Sequence, residues 1–267
     1  MLFDTHCHLD EASFPEGADA VLERARTAGV RAFTCIGVGS LELARAAVAL
    51  AERRSDVVAT VGIHPHDANT ADAAFEAELE ALGARARVVA IGEVGLDFHY
   101  DHSPRDTQEH VFRRAIALAR RLQKPLVIHT RSAPHETLDI LEAEAARDVG
   151  GVIHCFSEDR AFAARALELG FYLSFSGILT FKNARSVHDV AAWAPEDRLL
   201  VETDSPYLAP VPLRGKRCEP AFVEHTALRL AELRRSDPER IAAVTLENAA
   251  RLFRVSVHDD GLVSGRA

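Results

Sequence analysis

Asp4, His6 and His8 recur at every second position in the N-terminal LFDTHCHLD, so on an extended strand they share one face and Phe3, Thr5 and Cys7 take the other. Two imidazoles at that spacing can hold one divalent cation. Alone the pattern is weak: with 13 histidines in 267 residues, chance supplies about 0.6 such pairs. His64 and His66, in VGIHPH, form a second pair. Four more metal-binding side chains raise the significance of the first: Glu93 in VVAIGEVGLD, His129 in PLVIHTR, His154 in GVIHCF and Asp204 in LLVETDSP. Each stands at or just past the C-terminal end of a short apolar run, and Glu202 competes with Asp204 for the last place. Taken singly, each histidine reads as a hydrogen-bonded surface or core group, and each acid as a salt bridge or helix cap. Taken together, four imidazoles and two carboxylates exceed what one tetrahedral zinc needs and suit two cations sharing Glu93. One cation takes His6, His8, Glu93 and Asp204, the other Glu93, His129 and His154. A cation pair polarises the electrophile, lowers the pKa of a water between them and steadies the leaving oxygen, which is the chemistry of hydrolysis.

Such scattered ligands need a fold that gathers strand ends. Apolar runs at 2–5, 31–36, 57–63, 88–91, 125–128, 151–153, 171–175 and 199–201 read as strands. Helical patterns fall between them, at 17–28, 40–54, 70–84, 104–122, 134–147, 159–169 and 183–193, and again at 219–236 and 238–253. The clearest follows Ser103, which can cap, with Pro104 in the first helical position and Val111, Ala115, Leu118 and Leu122 at helical spacing. Gly29, Gly150, Gly151 and Gly170 mark the joins into the second, sixth and seventh strands. The alternation argues for a closed (β/α)₈ TIM barrel, with the metal centre at the C-terminal mouth of the strands. A doubly wound open sheet is the alternative, but it would not easily converge strands one, four, five, six and eight on one place. We expect one domain over 1–267, with 255–267 a loose tail.

Composition sets outer limits. With 48% hydrophobic and 27% charged residues the chain is globular, and a formal net charge of −9 lacks the basic footprint of a protein that grips duplex DNA by charge alone. A nuclease stays open, because divalent cations supply positive charge locally. Cys7, Cys35, Cys155 and Cys218 show no CxxC spacing, which fits a reducing compartment. Without a basic, apolar leader or a membrane-length run, the expected location is the cytoplasm. Neither a membrane association nor an obligate protein partner is indicated.

DTHCHLD, VGIHPH, IGEVGLDFHYD, PLVIHTR, GVIHCFS, ETDSPYLAPVP, RGKRCEP and LENAARLF, in that order, resemble the TatD family of metal-dependent deoxyribonucleases across nearly the whole chain. The resemblance implies an amidohydrolase-type barrel, two divalent cations (Mg, Mn or Zn) and hydrolysis of DNA phosphodiesters, of the 3'-5' exonuclease type and from a single-stranded end. It carries His6, His8, Glu93, His129, His154 and Asp204 over as ligands, with Glu93 and Asp204 catalytic and Asp204 the general base. The alternative is a small-molecule esterase, amidohydrolase or phosphoesterase on the same centre. The chain departs from the family pattern at Glu158, Leu213 and Cys218. For substrate contacts we single out His64, Arg131, Ser205 and Arg214. His64 and His66 read equally as phosphate or leaving-group contacts and as stabilisers of the loop around Pro65. Arg131 suits developing phosphoryl charge or a salt bridge. Arg214, with Lys216 and Arg217, suits a basic rim or a merely solvated loop. His99, Tyr100 and His102 follow Glu93 closely enough to line the mouth. With 6% aromatic residues, no extended stacking platform is expected.

Overall fold

In the computed structural model, which describes residues 1–258 and 261–264, strands and helices alternate from the N-terminus. The order is β1 (Leu2–Cys7), α1 (Ala18–Thr27), β2 (Val30–Gly37), α2 (Leu41–Arg53), β3 (Val57–Val61), α3 (Ala73–Gly83), β4 (Val88–Asp97), α4 (Arg105–Leu122) and β5 (Leu126–Arg131). It continues with α5 (Pro134–Ala143), β6 (Gly151–Ile153), α6 (Arg160–Glu168), β7 (Phe171–Phe175), α7 (Arg185–Trp193), β8 (Leu199–Val201), α8 (Val223–Arg234) and α9 (Pro238–Leu252). The eight strands pair in parallel in sequence order. β1 and the chain following β8 close the ring: Asp204 N donates to His6 O at 2.9 Å and His8 N to Ser205 O at 2.8 Å. This is the (β/α)₈ barrel, and the open-sheet alternative is excluded.

Alternation along each strand sorts two cores. Phe33, Ala59, Ile91, Leu126, Ile128, Ile153, Leu173 and Val201 face the surrounding helices. Phe3, Ala32, Val58, Ala90, Val127, Val152, Tyr172 and Leu200 form a separate cluster inside the barrel, joined from below by Leu252 and Phe253. The interior is therefore packed at its N-terminal end, and the polar residues collect above that floor.

Strand bulges adjust the alternation where the chemistry sits. On β1 three steps, Asp4 to Cys7, oppose the two steps from Phe33 to Cys35 on β2. The extra residue lets Thr5 reach down to Ser174 Oγ (3.2 Å) while its neighbour His6 also faces the mouth. Asp4 does not share that face as expected; its carboxylate accepts from Thr203 N (2.9 Å) and Thr203 Oγ1 (2.6 Å). On β4, Gly92 pairs Val127 and Val94 pairs Ile128, leaving Glu93 as the extra residue. Glu93 thus projects from within a strand that runs on to Asp97 instead of ending it, and β5 likewise continues past His129 to Arg131.

Two further expectations are corrected. Ser103 does not cap α4: Pro104 precedes the helix, and Ser103 Oγ donates to His66 O (2.8 Å) and accepts from Asn69 N (3.1 Å), tying together the loops after β3 and β4. Nor is the C-terminal segment loose over its described part. β9 (Val255–His258) pairs antiparallel with β10 (Gly261–Ser264), Leu262 N donates to Ser55 O at 2.7 Å, and the buried Val255 and Leu262 complete the barrel floor. The rest of the expected tail, 259–260 and 265–267, lies outside the described residues. Among the described residues no helix is long and apolar enough to cross a membrane.

Candidate metal centre

All six proposed ligands converge at the C-terminal mouth, around Glu93. Its two oxygens face different partners. Oε2 lies 3.4 Å from His6 Nε2 and 3.9 Å from His8 Nε2, and those nitrogens lie 3.3 Å from each other and 3.6 Å each from Asp204 Oδ1. Oε1 lies 2.7 Å from His154 Nε2 and 2.9 Å from His129 Nδ1, with those two nitrogens 3.5 Å apart. The two oxygens of one carboxylate thus face two nitrogen-rich sets of side chains.

The donor set can be tested against a cation. For bonds of about 2.0–2.2 Å, the edge of a coordination tetrahedron is about 3.3–3.6 Å. In the set of His6, His8, Glu93 and Asp204, the separations of 3.3, 3.4, 3.6, 3.6 and 3.9 Å are close to that edge. In the other set the 3.5 Å between His129 and His154 fits as well, while the two shorter contacts to Oε1 are hydrogen-bond lengths. The nitrogen and carboxylate donors of the cluster suit a divalent metal.

Electrostatics agree. Burial by itself raises a carboxylate, yet His154, His64 and His129 hold Glu93 well below its ordinary range. Asp204, raised by burial, is brought below its ordinary value by the neighbouring His8, His6 and His154. Burial would lower His154, but Glu93 and Glu202 raise it well above the ordinary histidine value. His6, whose Nδ1 has no hydrogen-bond partner among the described residues, is instead lowered by burial and by His154. A buried cluster that holds its acids ionised is ready to exchange protons for cations.

Two carboxylates behind the ligands were not given a role by the sequence. Asp97, at the end of β4, places Oδ2 3.1 Å from His129 Nε2 and 3.0 Å from His66 Nε2. Glu202, the rival of Asp204, lies 3.3 Å from His154 Nδ1 and accepts from Cys155 N at 2.7 Å. The signal for Asp97 was positional: an acid at the end of the same strand as Glu93. His64, His66 and the linked loops close one side of the cluster, with His64 Nε2 3.4 Å from Glu93 Oε1.

Substrate candidates are spread around the rim. Arg131 is exposed and stacks over the half-exposed Tyr100 at 4.6 Å, with His102 parallel to Tyr100 at 5.5 Å. Arg214 is exposed over Phe181 at 3.8 Å, and Arg217 is tied to Glu16 and Ser13 O. Ser205 is fully buried, its backbone spent on closing the barrel. Tyr207, 60% exposed, meets the His8 ring edge-on at 6.1 Å. His8 and Asp204 themselves are 18% and 13% exposed. Of the residues where the chain departs from the family pattern, Cys218 is buried with its N–H on Pro206 O, and burial raises the partly covered Glu158.

The sequence model of the family described as TatD related DNase matches residues 3–254. The chain is 43% identical over 256 residues to the "uncharacterized metal-dependent hydrolase YabD" of Bacillus subtilis, covering 96% of this chain and 100% of that protein. It is 35% identical over 260 residues to the "3'-5' ssDNA/RNA exonuclease TatD" of a Rahnella species, covering 96% and 99%. The crystal structure of YjjV, a TatD homologue from Escherichia coli, superposes with a TM-score of 0.89 at 32% identity, covering 96% and 98%.

Proposed function

The chain belongs to the TatD family of metal-dependent hydrolases, and on that premise we propose that it is a deoxyribonuclease that removes nucleotides from single-stranded DNA ends in the 3'-5' direction. The observation that carries this reading is Glu93, whose two oxygens face two separate nitrogen-rich donor sets at an accessible mouth. Support for a nucleic-acid substrate comes from the name of the Rahnella relative and from the rim, where exposed Tyr207, Tyr100 and Arg131 surround the cluster.

His6, His8, Glu93 and Asp204 would hold one cation, and Glu93, His129 and His154 the other; Mg, Mn or Zn would supply Lewis acidity toward a phosphoryl oxygen and make water acidic enough to attack. Within this frame Glu93 fixes the spacing of the two donor sets. Asp97 and Glu202 hold the far-side protons of His129 and His154 and so orient their near nitrogens. Asp204 is the base. It is ionised and partly open to water, so it can take a proton from the attacking water. The four unpaired cysteines support work in a reducing compartment, the cytoplasm.

The test is hydrolysis of end-labelled single-stranded DNA, beside RNA and a panel of small esters, with Mg or Mn added. We expect mononucleotides released from the 3' end. Protein verified to hold metal that yields no DNA products would overturn the reading. In the same assay Glu93→Ala should lose at least about a hundredfold in turnover, with circular dichroism unchanged. Wild-type turnover in that variant would refute the bridging role.

A further inference from the structure

On the outer side of the barrel wall, a cleft of about 430 Å³ lies between α3 and α4. Ile63, Leu79, Ile91, Val94, Val111 and Leu118, all buried, form its floor. Protein interiors seldom leave a void much larger than one water molecule, and an apolar void stays dry. A cleft of this size instead falls in the range of about 300–1,000 Å³ in which small molecules bind. None of its lining residues belongs to the two donor sets at the mouth.

Charge at the opening restricts what can enter. Glu76 and Glu80 on α3 face Arg114 and Arg121 on α4. They meet in two ion pairs, Arg114 with Glu76 and Arg121 with Glu80, the latter through Nε and Nη2 at 3.3 and 2.9 Å from the two carboxylate oxygens. Each charge is answered from the opposite helix, so an anionic ligand would have to displace a glutamate and a cationic one an arginine. An uncharged hydroxyl can hydrogen-bond to such pairs without breaking them. Shape restricts the ligand further. The lining runs along α4 from Val111 to Arg121, about 15 Å at the helical rise. A slot of that length between two helices suits an extended chain better than a compact ring.

We infer that the cleft between α3 and α4 is a binding site for an uncharged aliphatic chain of about eight to ten carbons. The chain lies on the floor made by Ile91, Val94 and Leu118, and a hydroxyl head sits at the opening beside the ion pairs. This site needs neither a cation nor a nucleic-acid substrate at the mouth, so it stands whether or not the nuclease reading holds.

Titration calorimetry of the full chain with 1-hexanol, 1-octanol, octanoate and octylammonium tests the inference. We expect one 1-octanol bound per chain, with affinity rising about three- to fourfold per methylene from 1-hexanol to 1-octanol. Octanoate and octylammonium should each bind at least about tenfold more weakly than 1-octanol. Ala115→Leu, which extends a side chain into the cleft from α4, should abolish binding with circular dichroism unchanged. A second variant does not touch the floor. Glu76→Gln combined with Glu80→Gln leaves the exposed Arg114 and Arg121 without their counter-charges, and octanoate should then bind more tightly than 1-octanol. Absence of saturable 1-octanol binding would overturn the inference, as would undiminished binding in Ala115→Leu. Tighter binding of octanoate than of 1-octanol by the wild type, or an unchanged order of the two in the double variant, would overturn the assigned ligand class. Self-association of the chain that 1-octanol does not disperse and Ala115→Leu abolishes would give the cleft to a second copy, and equally overturn it.

Discussion

At the scale of single residues, the proposed metal centre depends on groups outside its donor sets. Asp97 is the clearest. Burial would raise its carboxylate, but His129, the Tyr100 N–H and His66 together hold it well below the ordinary range, so it stands ionised against His129. Asp97→Asn keeps the shape and removes the charge that makes Nδ1 of His129 a good donor. Affinity for the cation proposed at Glu93, His129 and His154 should fall about ten- to a hundredfold. The cation proposed at His6 and His8 should be little affected. Competition with a chromogenic chelator would resolve the two, and equal affinities in wild type and variant would remove Asp97 from the metal centre. That six metal-binding side chains would gather at one mouth was legible in the sequence, because each stands at or just past the end of an apolar run, and that is a one-dimensional property. Asp97 and Glu202 were not assigned, since what they face depends on how neighbouring strands are staggered.

At the scale of elements, periodicity located every barrel strand and every long helix to within a few residues, but it misread β4 and the floor. The apolar run of β4 stops at Ile91 because Gly92 and Gly95 interrupt it, whereas the strand runs to Asp97. Those glycines are required by packing. Gly95 has φ +141°, and a Cβ there would lie 2.0 Å from His129 O. No side chain relaxes that clash, since the obstacle is the backbone of the adjacent strand. Gly95→Ala should therefore cost about 3 kcal/mol or more in unfolding free energy and shift β5 together with His129. Urea denaturation measures the first effect, and weaker binding of the cation at His129 reports the second. A variant as stable as the wild type would show that β4 and β5 can separate freely there. The floor hairpin had its own signal, since Val255 and Val257 alternate before an Asp-Gly pair. Its burial was not visible, because it depends on α9 bringing the segment under the barrel.

At the scale of the whole molecule, the barrel divides its labour between ends: the C-terminal mouth gathers ionised groups for chemistry, and the N-terminal end is held by packing and by a charged knot. Asp56, 2% exposed before β3, accepts from Arg54 Nε (2.9 Å), Arg54 Nη2 (2.8 Å) and Arg26 Nη1 (3.0 Å). Arg87 donates nearby to Arg54 O, Ser55 O and Leu262 O, linking the knot to the floor hairpin. Burial would raise Asp56, but Arg54 and Arg26 outweigh it and bring the carboxyl below its ordinary 3.8. A carboxylate with a depressed folded pKa stabilises the fold fully above its unfolded value, and that contribution is lost as pH falls toward the folded one. Asp56→Ala should then cost about 3 kcal/mol at neutral pH, because it leaves two guanidinium groups against a buried carboxylate site. The difference between wild type and variant should shrink once the pH drops below about 4. Cation affinity at the mouth should not change, because the packed floor lies between the two ends. Urea unfolding from pH 7 to pH 3, with cation binding measured in parallel, tests all three statements. A pH-independent difference would assign the stabilisation to packing and not to charge, and a loss of cation affinity would show that the two ends are coupled through the strands.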